Sequence, residues 1–340
     1  MTVVIGTDEA GYGPNLGPLV IGATAWKVDA PADEAETILC EAVAELLATK
    51  STTKPPVIWR DSKEVFRGGT GRDTLMHSAL TAVAVAQSDP AASGLPHTWP
   101  ALVARLGQIG PDRLDTSPEW QSFTTESLLT DAAQAAIVTD AAALREGLAT
   151  RGIRLVSLAC RCVYPGLFNS LLERGMNKSD ILSRETLQLA ATLAESWGTA
   201  TEPTLIWCDR HGGRKRYSSV IAAAFGTQAA VREETAQRSA YQLTATGLFD
   251  GGLFGGPAAS ETHLEFCVKG ERRPPVAVAS LTAKLIRELA MERFNAFWCD
   301  QDAGLTPTAG YPVDAARWYA AAAASIQRLG IEHSQLWRQV

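Results

Sequence analysis

The stretch "GTDEAGYGPNLGPLVIGA" (Gly6–Ala23) decides how the chain is read. Val3-Val4-Ile5 ahead of it is an apolar run that predicts a buried strand over Val3–Asp8. Asp8 and Glu9 therefore fall where that strand ends, just before a loop carrying Gly11, Gly13 and Gly17. Ligands of open α/β folds bind outside the carboxyl ends of strands. Consecutive strand residues point to opposite faces. The two carboxylates can share a site only if the chain leaves extended geometry there, which the following glycines permit. On spacing alone, acidic residues that end strands are also ordinary surface residues, and both readings stay open.

Working outward, Leu19–Val28 reads as a second strand and Ala32–Lys50 as a helix. Val57–Trp59 is a short apolar run leading into Arg60-Asp61-Ser62-Lys63. The Ala-rich segment 67–150 reads as two or three helices inserted as a lobe, with Ser117-Pro118-Glu119 as one helix start. Strand-like residues return at Ile153–Val163, and helices follow at about Pro165–Arg174 and Asp180–Trp197. The apolar strand Pro203–Cys208 ends at Asp209. Ser239–Thr244 and Thr262–Val268 read as a strand pair joined by the glycine-rich "GLFDGGLFGGP". A long helix at about Val276–Trp298 and a last one at about Val313–Arg328 complete the chain. Alternating strands and helices imply an α/β domain around a mixed sheet, read as one domain over 1–340 with the helical insertion 67–150 within it.

Composition narrows the class. The 340 residues are 46% hydrophobic and 20% charged, ample for a large core. A net charge of -6 argues against a protein that coats nucleic acid non-specifically but permits a local basic face. The six cysteines include no CxxC pair, so buried thiols in a reducing compartment are expected rather than zinc or disulfides. No apolar run approaches the ~20 residues of a membrane span, and the amino terminus carries no basic leader pattern. A cytoplasmic protein with no membrane partner is expected.

Several carboxylates share one placement. Asp8 and Glu9, Asp209 and Glu271 each end a predicted strand. If those strands are neighbours, four acids meet in one cleft, repelling one another unless a cation joins them. Oxygen ligands of this kind select Mg²⁺ or Mn²⁺, and a pair of such ions serves phosphodiester hydrolysis. Basic residues lie nearby: Lys63, then Arg210, His211, Arg214, Lys215 and Arg216, then Arg272 and Arg273, then Lys284 and Arg287. His211 reads either as a proton-transfer partner or as an exposed loop histidine. Trp298, Trp318 and Trp337 read as core, and Cys160 and Cys162 as strand residues.

Taken in order, these residues resemble type 2 ribonuclease H, the ribonuclease HII/HIII family. Asp8–Pro18 is similar to the family's Asp-Glu-x-Gly-x-Gly-Pro-x-x-Gly-Pro, and Asp61-Ser62-Lys63 to its Asp-Ser-Lys turn. Asp209 resembles its strand-ending Asp-Gly, with Arg210 in place of glycine. Lys269-Gly270-Glu271 followed by "ASLTAKLIRE" (Ala279–Glu288) resembles its Lys-Gly-Asp and Ala-Ser-x-x-Ala-Lys-x-x-Arg-Asp, and Gly310-Tyr311-Pro312 its Gly-Tyr-Pro. The segments 67–150 and about 218–256 lie outside the resemblance.

The resemblance implies a ribonuclease H-like mixed sheet flanked by helices. It implies an endonuclease that uses Mg²⁺ or Mn²⁺ to cut the RNA strand of RNA–DNA hybrids, or DNA at embedded ribonucleotides. Carried over by position, Asp8, Glu9, Asp209 and Glu271 are metal-binding and catalytic. Gly11, Tyr12, Gly13, Lys63, Arg210, Lys284 and Tyr311 are substrate-binding; Lys63 holds phosphate, the Gly11–Gly13 backbone faces the ribose 2′-hydroxyl and Tyr311 stacks on the sugar. Tyr12 stands where the family commonly has arginine, and Glu271 is one methylene longer than the usual aspartate. Two other readings compete: the same fold acting on DNA or structured RNA, and a non-catalytic nucleic-acid-binding scaffold. The sequence does not fix the oligomeric state, and a monomer is favoured.

Overall fold

Among the described residues, seven strands form one mixed sheet: β1 (Thr2–Ala10), β2 (Leu19–Val28), β3 (Ile153–Val163), β4 (Thr204–Asp209), β5 (Ala229–Glu234), β6 (Arg238–Leu243) and β7 (Thr262–Cys267). The computed structural model describes residues 1–48, 54–65, 69–86, 94–107, 126–199, 201–243 and 261–339. Spatial order is β3-β2-β1-β4-β7-β6-β5. The central strands β1, β4 and β7 run parallel, with Thr7 level with Cys208 and Asp209 level with Cys267. The outer strands are antiparallel. The carboxyl ends of three adjacent strands therefore open on one edge of the sheet, and each carries an acid or leads straight into one.

Helices cover both faces. They are α1 (Ala32–Ala48), α2 (Ser62–Val65), α3 (Gly71–Val85), α4 (Trp99–Leu106), α5 (Asp131–Ala149), α6 (Pro165–Glu173), α7 (Lys178–Trp197), α8 (Ser218–Phe225), α9 (Pro274–Gln301), α10 (Pro312–Ala321), α11 (Ala323–Leu329) and α12 (His333–Leu336). On one face, Val4, Val20 and Trp26 pack with residues of α1, α3, α5 and α9. On the other, Val3, Ile5, Ile21 and Ile206 pack with α6, α7 and α8. A third cluster joins the end of α9 to α10 and α11 through Phe294, Trp298 and Trp318. The mixed sheet flanked by helices agrees with the fold class expected from the sequence. The segment 67–150 contributes α3, α4 and α5 to the layer over the first face, where Leu75, Leu80, Leu102 and Ile137 are buried.

α9 explains much of the architecture. Its residues from Pro274 to Ala283 are buried without interruption, the signature of a helix enclosed on all sides. It reaches the sheet because Gly6 and Gly22 have no side chain: a Cβ on Gly6 would lie 2.2 Å from the Pro275 carbonyl carbon, and one on Gly22 2.3 Å from the Ala279 oxygen. Thr24 Oγ1 donates to the Pro275 oxygen at 2.9 Å, fixing the helix start.

Two expectations are corrected, two elements were not foreseen, and two expected features fall outside the described residues. β1 does not leave extended geometry at Asp8 but stays paired with β2 through Ala10. The last helix is broken at Ala322 into α10 and α11. α8 and the edge strand β5 were not anticipated; "AAVREE" is largely exposed and lacks an apolar alternation, since charges suit an unpaired edge. The expected helix start at Ser117 and the glycine-rich "GLFDGGLFGGP" lie outside the described residues. All six cysteines are free thiols, with Cys160 and Cys162 buried on β3. Among the described residues, no helix is long and apolar enough to cross a membrane.

Candidate active site

The sheet brings the four acids together. Asp8 lies on the face covered by α9, Glu9 on the opposite face, and the two reach the open end of β1 from either side. Asp8 is 7% exposed. Burial raises its carboxyl well above the usual range, Glu9, Asp209 and Glu271 raise it further, and a hydrogen bond from Ser280 opposes them. Glu9 is pushed up to about 8, first by burial and then by Asp209. Those repulsions are the physical sign that all four carboxylates share one electrostatic environment.

Local structure holds each acid in place. The Glu9 amide donates to Asp8 Oδ1 at 2.8 Å. The Gly270 amide donates to Asp209 Oδ1 at 2.8 Å, and a Cβ on Gly270 would come within 3.1 Å of the Asp209 Cα. The turn that presents Gly270 depends on Lys269, whose φ of 62° is left-handed, a conformation that costs a non-glycine residue energy. Glu271 sits in a single 3₁₀ turn, Gly270–Arg272. Its Oε1 accepts from Ser280 Oγ of α9 at 2.8 Å, and that hydroxyl lies 3.2 Å from Ser62 Oγ at the start of α2. The Asp-Ser-Lys turn and the Ala-Ser motif thus meet at one carboxylate.

A cavity of about 420 Å³ opens beside Glu271, lined also by Trp59, Arg60, Asp61, Glu64, Lys269 and Arg272. Among the described residues, no three His, Cys, Asp or Glu side chains surround a point at which an ion could be held. A divalent cation fits the chemistry of this cluster. The donors are all carboxylate oxygens, and Glu9 Oε2 is buried with no hydrogen-bond partner, a state that costs free energy until something pairs with it.

The glycine loop after β1 forms the adjoining wall. Gly11 has φ of 81°, and a Cβ there would meet Arg287 Nε of α9 at 2.5 Å, so only glycine fits. Arg338, 1% exposed, donates to the Gly11 oxygen at 2.7 Å and also to the Pro14 oxygen. The Arg338 amide donates to the Asn15 oxygen at 2.8 Å, and the amides of Asn15 and Leu16 donate to the Gly310 oxygen. The loop is therefore held by the carboxyl-terminal segment and the Gly-Tyr-Pro turn together. Tyr311 is 56% exposed, with its ring 3.8 Å from where a Cβ on Gly13 would stand. Arg338 was not singled out from the sequence; isolated near the end of the chain, it gave no local signal.

The basic residues separate into two groups. Lys284 is half-buried on α9, one turn beyond Ser280 and so on the same helical face. Lys63 belongs to α2, but its side chain lies outside the description. Arg210, by contrast, donates to the oxygens of Thr235 and Ala236 and to Ser239 Oγ, tying β4 to the β5–β6 turn. Arg273 pairs with Glu36 and Glu265, and Arg214 with Asp180.

His211 is not an exposed loop residue. It is 1% exposed, packed edge-on against Tyr217 and Phe266, with Nδ1 3.0 Å from Ser183 Oγ. Burial and then Arg214 push it down to about 3, so the ring is neutral at ordinary pH. Trp298 and Trp318 fill the third core cluster as expected, and Trp337 packs partly buried against it.

No protein-family profile and no curated protein matches the chain. Solved structures do resemble it. Ribonuclease H2 from Pyrococcus horikoshii OT3 is 14% identical with a TM-score of 0.41, over 98% of this chain and 92% of that one. The chain of the PCNA:RNase HII complex from Archaeoglobus fulgidus is 14% identical with a TM-score of 0.42, over 99% and 94%. Bst-RNase HIII in complex with Mn²⁺ is 16% identical with a TM-score of 0.42, over 100% of this chain and 66% of that one. These are the same kinds of ribonuclease H that the sequence motifs resemble. Likeness this distant assigns no activity, and the residues of the site carry the functional reading.

Proposed function

We propose that this chain is a divalent-metal-dependent endoribonuclease. It hydrolyses the RNA strand of RNA–DNA hybrids, or cuts at ribonucleotides embedded in DNA. The observation that carries the reading is the meeting of Asp8, Glu9, Asp209 and Glu271 at the ends of parallel strands, with a buried Glu9 oxygen left unpaired.

In this reading the four carboxylates are the metal ligands. Bound Mg²⁺ or Mn²⁺ supplies an activated water and offsets charge on the leaving oxygen. The chain's own groups do the rest. The Gly270 amide and Ser280 hydroxyl hold Asp209 and Glu271 in fixed orientation, so little reorganisation is needed when substrate arrives. The narrow Gly11-Tyr12-Gly13 backbone lies against the ribose, where a 2′-hydroxyl distinguishes RNA from DNA. Tyr311, exposed beside Gly13, stacks on the neighbouring sugar. Lys63 and Lys284 take backbone phosphate. Arg210 supports the site through the β5–β6 turn, since its hydrogen bonds are made there.

The test is cleavage of three end-labelled duplexes: DNA with one ribonucleotide, a full RNA–DNA hybrid, and all DNA. Each is incubated with Mg²⁺ or Mn²⁺, with Asp8→Ala as the blank. Cutting confined to ribose-containing strands and lost in the variant is expected. Equal cutting of all-DNA duplex would replace the ribonuclease with a general nuclease, and no cutting in either metal would refute catalysis.

A further inference from the structure

Lys178 is placed at a cost that the rest of the protein does not offset. It is the first residue of α7, where the helix dipole disfavours a cation. It is half-buried, and burial, then the nearby Arg338 charge, make its ammonium easier to deprotonate. Among the described residues, it forms no ion pair. Its ammonium instead lies over Tyr12, whose ring centroid is 4.7 Å from Nζ. Such a contact orients a lysine without neutralising it.

Tyr12 belongs to the site. It sits in the glycine loop three residues after Glu9, and the Glu9 charge acts on its hydroxyl. That hydroxyl lies 3.6 Å from where a Cβ on Gly212 would stand, in the loop after Asp209. Lys178 therefore projects its charge to the rim of the carboxylate cluster, across one aromatic ring. The Asp180 amide at the start of α7 is already taken, because Asn177 and Asp180 form a reciprocal cap. Asp180 is further engaged by Arg214, whose Nε also donates to Ser179 at 3.0 Å. Beneath the loop, Arg287 and Arg338 add two more buried cations, 4% and 1% exposed, and each repels the positive charge of its neighbour. Arg287 meets Glu288 at 3.7 Å, whereas Lys178 and Arg338 meet no carboxylate among the described residues; positive charge of that kind beside an acidic centre suits a ligand with several negative groups in a row, one at the acids and the next at the cations.

We propose that Lys178, held on the ring of Tyr12, is a substrate contact that takes a phosphate flanking the cleaved bond. The inference rests on the nuclease reading above and deepens it by naming a second phosphate position. Tyr12 serves as the platform and Lys178 as the charge, so residues from the glycine loop and from α7 act as one unit on the nucleic-acid backbone.

The experiment measures binding rather than turnover. A fluorescein-labelled RNA–DNA hybrid is titrated with full-length protein, by anisotropy, over a range of salt concentrations. All proteins carry Asp8→Asn so that no strand is cut, and thermal melts confirm folding. Lys178→Met is expected to weaken binding several-fold at low salt. It should also reduce the slope of log K against log salt by about 0.9, the loss of one phosphate contact. Lys178→Arg should restore most of the slope, and Tyr12→Leu should give a partial loss. Lys27→Met, at the far end of β2 where Lys27 meets Glu202 at 3.9 Å, is the control. Lys178→Met matching that control in affinity and slope, while the parent protein binds, overturns the Lys178 inference alone. A parent protein that binds no hybrid at any salt overturns the nuclease reading and this inference with it.

Discussion

Replacing Glu9 with Gln should stabilise the metal-free protein while abolishing its response to divalent cations. In the folded chain the Glu9 carboxyl is pushed up to about 8 from 4.5, first by burial. An acid whose folded value is raised leaves stability unaffected below its unfolded value, and stability then falls as pH rises through the interval. At pH 7 the interval crossed is about 2.5 units, which at about 1.4 kcal/mol each gives roughly 3.5 kcal/mol of destabilisation. Glu9 keeps some contact with solvent, and relaxation of its side chain lowers the figure, so roughly 1.5–3 kcal/mol is recoverable by a neutral isostere. For a chain of this length that corresponds to a rise of about 2–4 °C in Tm.

The assay is a pair of thermal melts at pH 7, one with chelator and one with millimolar Mn²⁺. Wild type should melt lower in chelator and rise markedly with Mn²⁺; Glu9→Gln should melt higher in chelator and respond little. The gap between the two proteins in chelator should close as pH is lowered toward about 4.5. A variant that melts lower than wild type in chelator, or that keeps the full Mn²⁺ response, would refute the repelling-cluster account of the site.

Three further outcomes are expected. Gly6→Ala places a Cβ 2.2 Å from backbone of α9, which cannot yield as a side chain would, so a loss of about 3 kcal/mol or more in urea unfolding is expected. Glu265 is held down at about 2: burial acts against ionisation and is outweighed by hydrogen bonds from Arg238 and Cys267 and by the Arg273 charge. Its stabilisation is present above the unfolded value near 4.5 and is lost as pH falls toward 2, so Glu265→Gln should flatten that part of the stability–pH curve. Arg338→Met removes two hydrogen bonds that clamp the glycine loop; a loss of about 2–4 kcal/mol is expected, together with a fall in cleavage rate larger than any weakening of hybrid binding.

The sequence made the sheet and its acids legible because both are local signals. β1, β2 and β4 are dense apolar runs, and Asp8, Glu9 and Asp209 end them in plain view. What stayed hidden depends on contacts far apart in the chain. Nothing near position 338 announces that its guanidinium will clamp a loop 327 residues earlier. The burial of His211 depends on packing against Phe266 and Tyr217, and on Ser183 of α7. Arg210 stands next to Asp209 in sequence, which suggested a phosphate contact; the β5–β6 turn that engages it could not be read from an exposed, charged edge strand. Charge beside a ligand in sequence is thus a weaker guide than charge whose partners are accounted for in space.

That distinction orders the basic residues. Arg273, Arg214 and Arg238 each meet a carboxylate and are explained by the protein alone. Lys178 and Arg338 meet none among the described residues, and both lie around the loop that adjoins the acids. Burying like charges on each side of a cleft, acids at the strand ends and cations beneath the glycine loop, destabilises the folded chain from both directions. Lys178 and Arg338 form no ion pair with these acids among the described residues. Divalent cations on one half and consecutive phosphates on the other would neutralise both. A nucleic-acid backbone bound with its metal ions therefore accounts for the charge distribution more fully than any small anion or any cation alone.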